Sequence, residues 1–515
     1  MKSVRQIKFV ALAVILILGA TLRFWGLGNN SFVADEFLDI NSSYGYFKTG
    51  EWKAWDFNDG KAAVVNENDA RDERANIYKW QVVQVFRFLP PTEANARAIS
   101  ALWGVLTVVI MFLVGWKLSG RRTIGLFAAF LFAVSSSGIE FDRKLRMYSM
   151  FFPVYLLFST ALFLFFEHEY KGRLKSLRIS WTKTGLNFTY LAPVVLLGAL
   201  SAMTHQLTVN ILPIFGIYVT VMALREWRKG NGYQNKYVAT ILTGIIGTAI
   251  VFLALPGKMK PYLETLVWFD NHYSYFGYVV RDYGAPMLAV FLAVFGAQSL
   301  ARKYDREREA IWLSSSFLVP LAMAVWLWRR NEGQQYIFFA QSFFAILIAT
   351  GGYALVNEAK KLLAARWKHV ACMTTVTLAL LVPNWGYFLE ENNTYHETAS
   401  GSAANYRKIF QFFRKNASDG EILVARNFRN YYWNGMHVPV YDFGGELSTV
   451  KLTTAELQSL MSKYSSGWVI FSGNDADYIS RDAENFMYRH MDRQSNVLIR
   501  GDVLVFRWGG NGSSY

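Results

Sequence analysis

Adjacent carboxylates in apolar sequence are the first residues here that could do chemistry. Asp35 and Glu36 stand in Phe32-Val-Ala-Asp-Glu-Phe-Leu-Asp39. Burial among such neighbours raises a carboxyl pKa, which suits one of the two to act as a general base. The same pair could instead open a helix and complement its dipole. A second cluster runs Glu140-Phe-Asp-Arg-Lys-Leu-Arg-Met-Tyr-Ser149. Arg143 and Arg146 share one face of any helical turn, and planar guanidinium groups hold phosphate through bidentate hydrogen bonds. The competing reading is a salt-bridge set with Glu140 and Asp142. A third group, Arg329-Arg-Asn-Glu-Gly-Gln-Gln-Tyr336, is either another anion clamp or a pair of long side chains snorkelling at an interface. His205, in Ala202-Met-Thr-His-Gln206, could ligate a divalent metal ion or contact a sugar hydroxyl. No HxxxH or HExxH partner lies nearby, which favours a structural role for it.

The scaffold that must position these groups is a membrane one. Of the 515 residues, 53% are hydrophobic and only 18% charged, against about 25% charged in a typical soluble protein. Segments of about 20 mostly apolar residues, the length that crosses a bilayer, fall near 8–27, 97–116, 123–138, 147–166, 187–204, 206–224, 237–256, 284–300, 310–328, 335–356 and 370–389. The fold class read from them is a polytopic α-helical membrane protein with about eleven transmembrane helices. The net charge of +15 does not point to nucleic acid, because the basic residues sit in short clusters between apolar runs. The single cysteine, Cys372, lies in one of those runs, which excludes a disulfide framework, a cysteine zinc site and a c-type haem. The first apolar run continues through Arg23 and Phe24 without a small-x-small cleavage site, so it reads as a span and not as a signal peptide.

Every second loop is basic, from Lys2, Arg5 and Lys8 at the start to Lys360, Lys361, Arg366 and Lys368 after the tenth span. The positive-inside rule then places the N-terminus in the cytoplasm and, for an odd span count, the C-terminus outside. All the candidate groups fall on the outer side. Two outer segments are large: a first loop over 28–96 with amphipathic helices, and residues 390–515. In the second, Ala403–Lys415 and Thr453–Lys463 look helical, while Glu421–Arg426, Val438–Phe443, Trp468–Phe471 and Val503–Arg507 look like short strands. That alternation predicts a small extracytoplasmic α/β domain. It carries no Gly-rich phosphate loop. Residues 1–389 form the expected transmembrane, catalytic part.

In this order the motifs resemble those of the polyprenyl-phosphate-dependent GT-C glycosyltransferases, the superfamily of the protein O-mannosyltransferases and the lipid A aminoarabinose transferase. Asp35-Glu36 just outside the first span matches the family's acidic pair. Glu93-Ala-Asn-Ala-Arg-Ala-Ile-Ser-Ala-Leu-Trp-Gly104 is like the Arg-containing entry to its second span, and Arg143-Lys-Leu-Arg-Met-Tyr-Ser149 is similar to its Arg-x-x-Arg-Met-Tyr-Ser. Gln335-Tyr-Ile-Phe-Phe339 departs from the Arg-Tyr usual there, since Gln335 supplies no charge; Arg329 or Arg330 could.

The resemblance implies a multi-pass protein of the cell (inner) membrane that moves a sugar, with inversion, from a polyprenyl-phosphate donor to an acceptor hydroxyl at the outer face. The acceptor class stays open between protein, lipid and polysaccharide. Asp35 and Glu36 would be catalytic. Arg143, Arg146, Tyr148, Arg329, Arg330 and Tyr336 would bind the donor phosphate, and Arg97 and His205 would meet other parts of the substrates. A divalent metal ion at His205 is the one cofactor considered. Two alternatives remain. An oligosaccharyltransferase-like enzyme should carry Trp-Trp-Asp where this chain has Tyr431-Tyr-Trp-Asn-Gly435. A transporter or flippase of lipid-linked sugars should show internal repeats and polar residues at mid-membrane. The topology has its own test: a reporter fused after Tyr515 should work only when exported, and cytoplasmic activity there would overturn the assigned orientation.

Overall fold

A computed structural model describes residues 2–33, 35–58, 60–62, 75–230, 235–254, 272–328, 332–362, scattered positions over 371–382, 404–426, 431–432, 438–443, 451–499 and 503–509. The chain divides into two compact units. The first comprises Met1–Trp25, Ala101–Asp142 and Met147–Trp385; the second comprises Gly26–Ser100, Arg143–Arg146 and Gly386–Tyr515.

The first unit is helical. Helix α1 covers Lys2–Phe24, and α4, Glu93–Ser119, enters this unit at Ala101. It is followed by α5 (Arg122–Ala133), α6 (Ser136–Asp142) and α7 (Tyr148–Glu167). Further helices cover Leu191–Thr204, Ile211–Arg228, Lys236–Ala254, Pro286–Arg302, Glu307–Trp326 and Gln341–Leu362. Every apolar segment read from the sequence up to 335–356 therefore carries a helix; most of 370–389, with Cys372, lies outside the described residues.

Among the described residues, five helices are long and apolar enough to cross a membrane, or up to seven if each of two bent pairs is one span. That is fewer than the eleven segments expected. Part of the difference falls on shorter apolar helices, Phe9–Phe24, Lys236–Ile250 and Pro286–Arg302. One bent pair is α5 with α6, at 62°. Its break falls at Val134 and Ser135, where serine side chains offer the backbone partners other than the helix ladder. A buried carboxylate exploits this. Asp282 accepts from the hydroxyls of Ser135 at 2.6 Å, Ser136 at 2.8 Å and Ser137 at 2.5 Å, and from the Ser137 amide at 2.8 Å. It thereby caps the Ser137 amide from a distant loop, while the Ser135 hydroxyl caps the Gly138 amide locally at 2.8 Å.

The second unit holds the first loop and the C-terminal region. Helices α2 (Glu36–Thr49) and α3 (Asn76–Phe86) flank a small antiparallel pair, β1 (Trp55–Asp56) and β2 (Lys61–Ala62). The C-terminal sheet contains β3 (Ile422–Ala425), β4 (Val440–Asp442), β5 (Gly467–Ser472), β6 (Asp492–Arg493) and β7 (Val503–Trp508), in the order β4-β3-β5-β7-β6. β3 pairs parallel with β4 and β5, whereas β7 runs antiparallel to β5 and β6. Strands β3 and β5 are buried along their whole length, as expected for central strands covered on both faces. Val424, Val469, Phe471 and Phe506 meet Leu457 and Met487 from the covering helices. Four expected strands and both expected helices appear here. The helix Arg481–His490 was not read from the sequence.

Candidate functional site

Helix α2 starts at Glu36 because the chain turns at Asp35, and that boundary separates the two acids. Asp35 keeps a side chain 60% exposed, while Glu36 is buried to 1%. The Glu36 carboxylate is fully occupied. One oxygen accepts from Arg97 Nε at 2.8 Å and the Leu145 amide at 2.6 Å; the other accepts from Arg97 Nη2 at 2.7 Å and the Val33 amide at 3.0 Å. Arg97 is equally committed. Its remaining donors reach the carbonyls of Leu27 at 3.1 Å, Asn30 at 2.9 Å and Ser31 at 2.8 Å. All five N–H groups of this guanidinium, which an arginine presents as one rigid fork, are thus used within the protein. The expectation that Arg97 meets substrate finds no free donor, and the catalytic place considered for Glu36 finds no free lone pair. Both side chains instead fix the loop that carries Asp35.

Arg146 provides the second centre. Its side chain is 14% exposed and bridges two carboxylates, Asp35 at 3.1 Å and Asp39 at 2.8 Å. Asp39 lies one turn further along α2. Burial raises its pKa above the ordinary carboxylate value, and this outweighs the attraction of Arg146 and Lys79. Lys79 itself is buried to 1% and donates to the Ser42 hydroxyl at 2.9 Å. Neither Lys79 nor the pairing of Asp39 with Arg146 was read from the sequence. Their partners are far along the chain, although a lysine in an otherwise alternating helical stretch was a visible oddity. Arg143, also buried, donates to the Gly26 carbonyl at 3.2 Å.

The loop over 26–33 is held from a further side. The Tyr432 hydroxyl accepts from the Phe32 amide at 2.7 Å and donates to Glu93 at 2.7 Å. Arg407 pairs with Glu93 at 2.8 Å and donates to the Gly28 carbonyl at 2.7 Å. Residues from the first loop, the start of α4 and the C-terminal region therefore build one polar framework within the second unit.

The remaining candidates lie in the first unit or outside the described residues. The two acids beside Arg143 each have a partner distant in the chain. Glu140 pairs with Arg281, and Asp142 pairs with Arg23 at 2.7 Å with neither side chain more than 1% exposed. Arg23 also donates to the carbonyls of Gly19, Phe132 and Ala133. This pair demands a glycine at 104, where a Cβ would lie 2.2 Å from Asp142 Oδ2 and 2.6 Å from Arg23 Nε. His205 uses Nδ1 to accept from the Leu207 amide at 3.0 Å and packs on Tyr148 and Phe151. Among the described residues no three His, Cys, Asp or Glu side chains come together as a metal site. Tyr148 is buried at the start of α7 and Tyr336 is half-buried in a short turn. Arg329 and Arg330 lie outside the described residues.

The pairing generates a stability contrast. Removing one member of a buried, hydrogen-bonded ion pair costs about 3–5 kcal/mol, so Arg97→Leu or Glu36→Leu should lower the unfolding midpoint sharply. Asp35→Asn, at an exposed ion pair, should change it by under about 1 kcal/mol. Thermal melts of the purified variants, followed by tryptophan fluorescence, check this.

No protein-family model matches the chain, and no curated protein sequence matches it. Solved structures do resemble it. ArnT from Cupriavidus metallidurans, a lipid A aminoarabinose transferase bound to undecaprenyl phosphate, aligns over 97% of both chains with 13% identity and a TM-score of 0.52. Its apo form aligns over 98% of both chains with 11% identity and a TM-score of 0.56. The oligosaccharyltransferase AglB of Archaeoglobus fulgidus, in complex with an inhibitory peptide and a dolichol-phosphate, aligns over 94% of this chain and 72% of that one, with 10% identity and a TM-score of 0.61. These are GT-C glycosyltransferases and membrane proteins. The chain has the GT-C glycosyltransferase fold.

Proposed function

We propose that the protein is a membrane glycosyltransferase that moves a sugar from a polyprenyl-phosphate donor to an acceptor hydroxyl at the outer face of the membrane. The observation that carries the reading is the Asp35–Arg146–Asp39 bridge: an exposed carboxylate beside an arginine on a framework fixed by buried ion pairs. The fold supports it, because solved relatives bind undecaprenyl phosphate or dolichol-phosphate.

A sugar or alcohol hydroxyl is a weak nucleophile at neutral pH, so transfer needs a base within hydrogen-bond reach. Asp35 takes the acceptor proton as the hydroxyl oxygen attacks the anomeric carbon from the face opposite the phosphate. The bond from that carbon to the phosphate oxygen breaks, and its electron pair leaves on polyprenyl phosphate. Arg146, with Arg143 near it in sequence, stabilises the negative charge as it develops. Glu36 and Arg97 take no part in proton transfer; they hold the Asp35 turn in place. The sugar is a hexose or a pentose, and the acceptor is a protein, a lipid or a polysaccharide.

An internal-repeat transporter is disfavoured by this arrangement, in which an exposed acid meets a largely buried arginine on a fixed framework. For catalysis, Asp35→Asn should lower turnover by about 10²–10⁴-fold, the usual worth of a general base, while the protein still binds donor. Arg146→Ala should raise the KM for donor. Because the Asp39 carboxyl sits above the ordinary range, it gains its proton early as pH falls, and Asp39→Asn should shift the acid limb of kcat/KM. Near wild-type turnover by folded Asp35→Asn would move the base to Asp39.

A further inference from the structure

The two carboxylates on Arg146 are not equivalent. Asp39 is 12% exposed at the side chain and holds Nη1 at 2.8 Å; Asp35 is 60% exposed and holds Nη2 at 3.1 Å. Nη1 also lies 3.3 Å from the Asp35 carbonyl. One side of the guanidinium is therefore anchored in the protein, and the other faces a carboxylate that water reaches. An exposed ion pair contributes little, whereas a phosphate oxygen accepts a charge-assisted hydrogen bond at least as well as a carboxylate does. The Asp35 side is the one that an incoming anion can take.

We infer that donor phosphate and Asp35 compete for the same face of Arg146, so that donor binding itself releases the Asp35 carboxylate to act as the base, with Asp39 as the positioning residue that keeps Arg146 in place during the exchange. This rests on the transferase reading above and adds to it an order of events. Before donor arrives, the Asp35 carboxylate is engaged by Arg146 Nη2 at 3.1 Å and is turned to that partner instead of an acceptor hydroxyl. When the phosphate takes Nη2, that restraint is lifted and Asp35 can turn to the acceptor hydroxyl. Lys79, buried near Asp39 and bonded to Ser42, adds a positive charge that opposes the effect of burial on Asp39. Transfer is then ordered, donor first and acceptor second.

The exchange makes an unusual demand: removing the base must strengthen binding of the leaving group. Asp35→Asn and Asp35→Ala abolish the competing charge at an exposed position, so both variants fold as wild type does. Undecaprenyl phosphate, titrated into purified full-length protein in detergent and followed by tryptophan fluorescence, should bind both variants about two- to fivefold more tightly than wild type, the worth of one exposed ion pair. Asp39→Asn should instead weaken binding, since Arg146 then relaxes onto Asp35, and neutral undecaprenol should bind all forms alike. Wild-type binding with unchanged or weaker affinity in both Asp35 variants overturns the exchange and leaves the transferase reading standing. Absence of any undecaprenyl phosphate binding by wild type, with no turnover, overturns the transferase reading and the exchange together.

Discussion

A buried arginine with five hydrogen bonds is the constraint on which the rest of this site depends. Arg97 is tied to both oxygens of Glu36 and to three carbonyls between Leu27 and Ser31. A charge at 3% exposure is costly to leave unmatched; matched in this way, it fixes the chain at Leu27, Asn30, Ser31 and Glu36. That path decides that Glu36 turns inward and that Asp35, one residue earlier, turns outward. Two neighbouring acids with the same chemistry acquire different roles from this single choice. The Leu145 amide bonded to Glu36 brings the arginine-bearing segment Arg143–Arg146 into the same unit.

Elsewhere, too, charged side chains are tied to partners distant in the chain. Arg23 with Asp142 and Asp282 with three serines are satisfied within the first unit. Arg407 with Glu93 is satisfied within the second. Such pairs bring geometry more than net stability, and within the second unit Glu36–Arg97 and Glu93–Arg407 fix the loop that carries Asp35. The exposed member, Asp35, is the group with freedom to exchange partners, which is what a catalyst of proton transfer requires.

Hydropathy and motif order made much of this legible in the sequence. A run of apolar residues has one stable arrangement, a helix that satisfies its own backbone, so the helical segments were read close to their observed bounds. Strands β3, β4, β5 and β7 were read because Val, Ile and Phe runs end at Gly and Asp. The helix Arg481–His490 was missed because only Ala483 and Met487 are buried on it, too few to show a period, although Ser480 caps its start. What sequence could not supply was pairing. Arg97 lies 61 residues from Glu36 and Arg146 lies 107 from Asp39, and nothing local says which acid an arginine will meet. Glu140 and Asp142, close to Arg143 in sequence, pair with the distant Arg281 and Arg23.

The central claim is that this framework serves transfer from a lipid phosphate. The most direct measurement incubates purified wild-type protein with a panel of polyprenyl-phosphate sugars and candidate acceptors, and reads release of free polyprenyl phosphate. The account predicts release with one donor class, dependent on acceptor, and a product of inverted anomeric configuration. Donor left intact across the whole panel, or moved across a bilayer without cleavage, would contradict it.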